Sequence, residues 1–87
     1  MKLRDDLATQ LIDGELVIFN REAEQIHTLN QTASHIWQSL EQGMTLEQIV
    51  AQFVEDYGVD DAQAKTDIEN TLKAFESLGL LAHNENR

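Results

Sequence analysis

The chain changes its hydrophobic period at Leu29-Asn30, and this change restricts the fold more than any other feature. Before it, the apolar residues come in short runs. Leu16-Val17-Ile18-Phe19 is β-branched and aromatic and too short for a helix, and Gln25-Ile26-His27-Thr28-Leu29 reads as a further strand. After it, Ala33, Ile36, Trp37 and Leu40 fall at i, i+3, i+4 and i+7, the spacing of one helix face. A chain patterned this way forms a small sheet first and packs helices on it afterwards, an α+β arrangement.

Turn and cap residues mark the boundaries. Asp13-Gly14 lies between Leu11-Ile12 and Leu16-Val17-Ile18-Phe19, the signal of a tight two-residue hairpin. The polar stretch Asn20-Arg21-Glu22-Ala23-Glu24 turns the chain into the third strand, so residues 7–29 form an antiparallel meander whose third strand is an edge. Asn30 has the side chain of an N-cap, and Gly43 stops the helix that follows. Thr45 opens a second helix, Gln48 completes a capping box, and Met44 can staple onto Ile49. Leu46, Ile49, Val50, Phe53, Val54 and Tyr57 form its apolar face, and Gly58 ends it. Asp60 caps a third helix, with Gln63 at the box position. Its stripe is Ala64, Ile68, Leu72, Phe75 and Leu78, and beyond Gly79 the pair Leu80-Leu81 folds back on the last turn. The expected architecture is winged helix-turn-helix-like: an N-terminal three-stranded antiparallel sheet followed by three helices, in one domain over residues 1–87 with its core at about 7–81.

Composition removes several function classes. Six Lys and Arg stand against 16 Asp and Glu, a net charge of −10, which opposes nucleic-acid binding because that binding draws on cationic contacts to phosphate. The same charge keeps a small protein soluble or steers a basic partner toward it. Cysteine is absent, so no disulfide, thiolate nucleophile or thiolate-bound metal can form. No apolar run approaches the ~20 residues of a membrane span, and the first residues do not resemble a signal peptide, so a cytoplasmic setting is expected.

Catalytic patterns are missing. His27, His35 and His83 show no shared ligand spacing, and no acidic cluster matches a calcium loop. Ser34, Ser39 and Ser77 have no fixed base in the sequence, and the four glycines sit at turns and caps rather than in a phosphate loop. No enzyme activity, cofactor or metal is expected. Trp37 reads as core, and Tyr57 as a lid over it with its hydroxyl at the surface.

The ordered set of Leu29-Asn30, Thr32-Ala33, Ile36-Trp37, Leu40, Gly43, Thr45, Ile49-Val50, Phe53, Tyr57, Asp67-Ile68, Leu72, Leu78 and Gly79-Leu80 resembles the PqqD-like family, the RiPP recognition elements. The resemblance implies a non-catalytic chaperone. Such a protein binds the leader segment of a ribosomally synthesised precursor peptide by β-strand addition and presents it to a modifying enzyme, such as a radical-SAM enzyme, a cyclase or a protease. Carried onto this chain, the leader would pair with Glu24, Gln25, Ile26, His27, Thr28 and Leu29. It would lie against Asp61, Lys65, Ile68, Glu69, Leu72 and Lys73 of the third helix. The quinone-pathway member usually has a Pro-Glu pair ahead of the third strand, where this chain has Asn20-Arg21-Glu22-Ala23. The recognition proteins of lasso-peptide and other peptide pathways fit equally well.

Two other readings compete. A winged helix that binds DNA fits the helix-turn-helix spacing but not the charge. A scaffolding subunit would use its helices and keep the sheet edge closed. The free edge also allows a strand-exchanged dimer in place of a monomer.

Overall fold

The computed structural model describes residues 3–4 and 6–82. Three strands, β1 (Ala8–Ile12), β2 (Glu15–Asn20) and β3 (Gln25–Leu29), precede three helices, α1 (Gln31–Glu41), α2 (Leu46–Tyr57) and α3 (Asp61–Ser77). The sheet is antiparallel in the order β1-β2-β3, as the sequence predicts.

Asp13 and Gly14 both take positive φ, 53° and 82°, the pair of left-handed residues that a type I′ turn requires. Ile12 faces Glu15 across this turn, so the register of β1 on β2 follows from the turn itself. Glu24, at φ 55°, closes the second turn by donating its N–H to the Arg21 carbonyl, while the Asn20 side chain accepts from the Ala23 N–H.

Alternate residues of β2, Leu16, Ile18 and Asn20, are buried, and the helices cover that face. The core joins Leu16, Ile18 and Leu29 to Ile36 and Trp37 of α1, Ile49 and Phe53 of α2, and Ala64, Ile68, Leu72 and Phe75 of α3. Trp37 meets Phe75 edge-on at 5.3 Å between ring centroids, a favourable aromatic geometry. Tyr57 lies over Phe53 at 4.5 Å and stays half-exposed, as expected of a lid.

The caps follow the sequence with one difference. The Asn30 side chain accepts from the Ala33 N–H, and Thr45 and Gln48 form the reciprocal capping box. Asp60 caps α3 by accepting from the Gln63 N–H, but the Gln63 side chain turns down the helix to Asp67 at 2.9 Å and does not return to the cap. At the other end of α3, Gly79 N–H bonds the Glu76 carbonyl and Leu80 N–H bonds the Phe75 carbonyl, which swings Leu80 fully into the core. Leu81 then bridges Leu3, and the Arg4 N–H donates to the Leu80 carbonyl. The Arg4 guanidinium binds Asp6, Glu22 and the Gly79 carbonyl, and its hydrogen bond holds the Asp6 carboxyl below the usual carboxylate range. His83 lies outside the described residues.

Candidate peptide-binding edge

β3 pairs with β2 on one side, and among the described residues nothing pairs with its other side. Leu80 and Leu81, near the end of the described residues, meet Arg4 and Leu3 and not this edge. β1 is the opposite edge and is equally without an outer partner among the described residues.

The direction of each backbone group follows from the turn. A two-residue hairpin closes on a hydrogen-bonded pair, so Ile12 and Glu15 bond each other. The bonding direction then alternates along β2: Val17 and Phe19 also face β1, and Leu16, Ile18 and Asn20 face β3. Their partners Leu29, His27 and Gln25 therefore use their main-chain groups toward β2. Ile26 and Thr28 direct theirs outward to the free edge. The same alternation leaves Thr9 and Leu11 facing outward from β1.

Ser34 supports this assignment. Its buried hydroxyl accepts from the Leu16 N–H at 2.8 Å and donates to the Leu29 carbonyl at 3.1 Å. The side chain thus bridges β2 and β3 at the point where the two strands meet α1, and it fixes the end of the free edge. In sequence Ser34 offered only a nucleophile without a base; its role is structural.

Side chains alternate across the edge. His27 and Leu29 point to the helix-covered face, with Ile18 and Leu16 opposite them. Ile26 and Thr28 point to the uncovered face beside Phe19 and Val17, and Ile26 is 67% exposed. No residue of β3 is charged, and none is proline, so two of the devices that usually block edge pairing are missing from the strand. Glu24 belongs to the turn and not to the strand.

The α3 residues divide into three groups. Ile68 and Leu72 are in the core with Leu29, and Ile68 is closed to solvent. Asp61 and Lys65 line a surface groove of about 380 Å³ with Leu46, Glu47, Val50 and Ala51, on the side of α3 that meets α2. Glu69 and Lys73 are exposed. Each step of four residues turns the helix surface by about 40°, so Asp61 and Lys65 lie beside α2 while Glu69 and Lys73 lie progressively farther round the helix.

Among the described residues no group of three or more His, Cys, Asp or Glu side chains could hold a metal. His35 joins α1 to α2, with Nδ1 3.3 Å from the Tyr57 hydroxyl and Nε2 3.9 Å from an Asp56 carboxylate oxygen. It lies on α1, outside the free edge.

Comparison with solved structures finds the same fold in "TbiB1 in Complex with the TbiA(beta) Leader Peptide", at 29% identity and TM-score 0.89, covering 99% of this chain and 100% of that one. A second, "Lasso peptide synthetase B1 complexed with the leader peptide", matches at 22% identity and TM-score 0.86 over 94% and 96% of the two chains. No curated protein sequence matches. The family described as Coenzyme PQQ synthesis protein D (PqqD) matches residues 15–81, from the start of β2 to the residue that bridges Leu3. With its three-stranded sheet, three helices and most of its length inside that match, the chain belongs to the PqqD family.

Proposed function

We propose that this chain is a non-catalytic recognition protein. It takes the leader segment of a ribosomally synthesised precursor peptide as a fourth strand on β3 and presents that peptide to a modifying enzyme. The observation that carries the reading is the uncharged, proline-free β3 edge, with the main-chain groups of Ile26 and Thr28 directed outward. A protein of the same fold and 29% identity, solved with a leader peptide, supports it.

The mechanism is β-augmentation. The leader completes the unpaired N–H and C=O groups of Ile26 and Thr28, and this backbone pairing supplies affinity without demanding a sequence. Alternate leader side chains then point to opposite faces. One set meets His27 and Leu29 on the helix-covered face and extends toward α3, whose Ile68 and Leu72 share the core with Leu29 and whose Glu69 and Lys73 are exposed. The other set joins Ile26 and Thr28 on the uncovered face. Asp61 and Lys65, at the α2 side, take part only if the leader runs past the strand. The enzyme partner is of the radical-SAM, cyclase or protease kind, and the setting is cytoplasmic. Among the described residues no helix is long and apolar enough to cross a membrane.

DNA binding is disfavoured by the acidic surface: the only cations on α3 are Lys65 and Lys73, beside Asp61, Asp67, Glu69 and Glu76, and α2 has none.

The test is titration of the ¹⁵N-labelled chain with the leader of a precursor peptide encoded beside its gene. Saturable binding should shift the amides of residues 25–29 and neighbouring α3. Binding that shifts residues 8–12 instead, or no binding by any such leader, overturns the reading.

A further inference from the structure

Two buried side-chain polar atoms among the described residues have no hydrogen-bond partner: Trp37 Nε1 and His27 Nε2. Trp37 lies deep in the core, against Phe75, where no ligand reaches. His27 is different. It stands in the middle of β3, opposite the fully buried Ile18, on the helix-covered side of the free edge, and the residue as a whole is only half-buried. A buried nitrogen without a partner carries a cost, which a bound partner can relieve where one can reach it.

We propose that His27 is a specificity-determining residue of this edge: its imidazole selects a leader peptide with a hydroxyl or carboxamide side chain at the position that pairs with it. The inference rests on strand addition to β3 and names what that strand must carry. A residue directly opposite His27 on an added strand points to the same face, with its Cβ about 4.5–5.5 Å from that of His27. The imidazole turns about χ2, a broad and roughly two-fold torsion, and this rotation can bring Nε2 to the edge where the new strand lies. In a neutral imidazole Nε2 donates or accepts according to tautomer, and hydroxyl and carboxamide groups can answer either role. An aliphatic residue there would leave Nε2 unpaired in the complex as well. Leu29, two residues along and on the same face, is apolar, so the face asks for one polar side chain beside an apolar one.

The test uses a phage-displayed library of random 12-residue peptides, selected on the full chain and on its His27→Phe variant. The wild-type chain should enrich peptides with a hydroxyl or carboxamide residue at one fixed place. The variant should bind those peptides about tenfold more weakly and enrich an apolar residue at that place instead. The His27 imidazole ¹⁵N resonances of the wild-type chain should shift when a selected peptide is added. This last measurement needs no variant and remains decisive if His27→Phe does not fold. If both chains select the same residue, or the imidazole signals do not move while amides 25–29 do, the role of His27 is refuted and strand addition stands. If no selected peptide perturbs residues 25–29, strand addition itself fails and the His27 proposal falls with it.

Discussion

Proline substitution separates the two free edges of the sheet. Thr28 directs its N–H away from β2, so Thr28→Pro removes a donor that the fold does not use. Proline is accepted on edge strands for this reason, and the substitution should cost about 1 kcal/mol or less, a fall in Tm of at most about 8 °C for a chain of this size. A leader on β3 loses more. Ile26 and Thr28 each offer one N–H and one C=O, four main-chain bonds in all. The proline ring deletes the Thr28 donor and crowds the incoming strand at its carbonyl, so two of the four are lost. At about 0.5–1.5 kcal/mol net for each, the loss is about 1–3 kcal/mol, which weakens binding roughly 5- to 150-fold. Fluorescence anisotropy with a labelled leader measures it, and Thr9→Pro on the outer side of β1 is the control. Thr9→Pro should leave affinity within about twofold, since it alters the other edge at a similarly unused N–H. His27→Pro should unfold the chain or nearly so, because the His27 N–H faces β2. If Thr9→Pro abolishes binding and Thr28→Pro does not, the leader adds to β1 and the assignment of the site is wrong. If His27→Pro is as well tolerated as Thr28→Pro, the bonding directions derived from the Asp13-Gly14 turn are wrong.

Three further predictions concern what holds the edge in place. Ser34→Ala leaves the Leu16 N–H without a partner and takes one bond from the Leu29 carbonyl, so it should lower stability by about 2–3 kcal/mol in urea unfolding; a loss under about 0.5 kcal/mol would show that the bridge is not needed. Trp37→Ala empties the centre of the core beside Phe75 and should cost about 3–5 kcal/mol, enough to leave little folded protein in a domain this small; a cooperative transition near the wild-type Tm would refute the central role of the ring. The folded-state pKa of Asp6 is lowered by its hydrogen bond from Arg4, so the pair contributes stability above the ordinary aspartate pKa of about 3.9 and loses it as pH falls through the lower folded value. Both side chains are reached by water, so the effect is small. The Tm difference between the wild-type chain and Arg4→Gln should narrow between pH 5 and pH 2, and a difference that widens on acidification would reverse the sign of the coupling.

Local chemistry decided most of the fold. Asp13-Gly14 set a turn type, the turn set a register, and the register set which backbone groups of β3 face outward. Asn30, Thr45 and Asp60 placed the three helix starts, and Gly43, Gly58 and Gly79 the stops, because each acts on hydrogen bonds within a few residues of itself. That β3 is an edge strand was legible for the same reason. Other features were decided only when distant segments met. Ser34 looks like any helix serine until α1 lies across the ends of β2 and β3. Which of the exposed α3 residues stand beside α2, Asp61 and Lys65, is known only once the two helices are packed. His27 reads as one residue of an uncharged strand, and only the packing of the helices over that face buries Nε2 without a partner. Turn and cap preferences are energies of a residue with its near neighbours, so the sequence contains them. Burial and the partnering of a polar atom depend on which surfaces come together, and that is a property of the assembled fold.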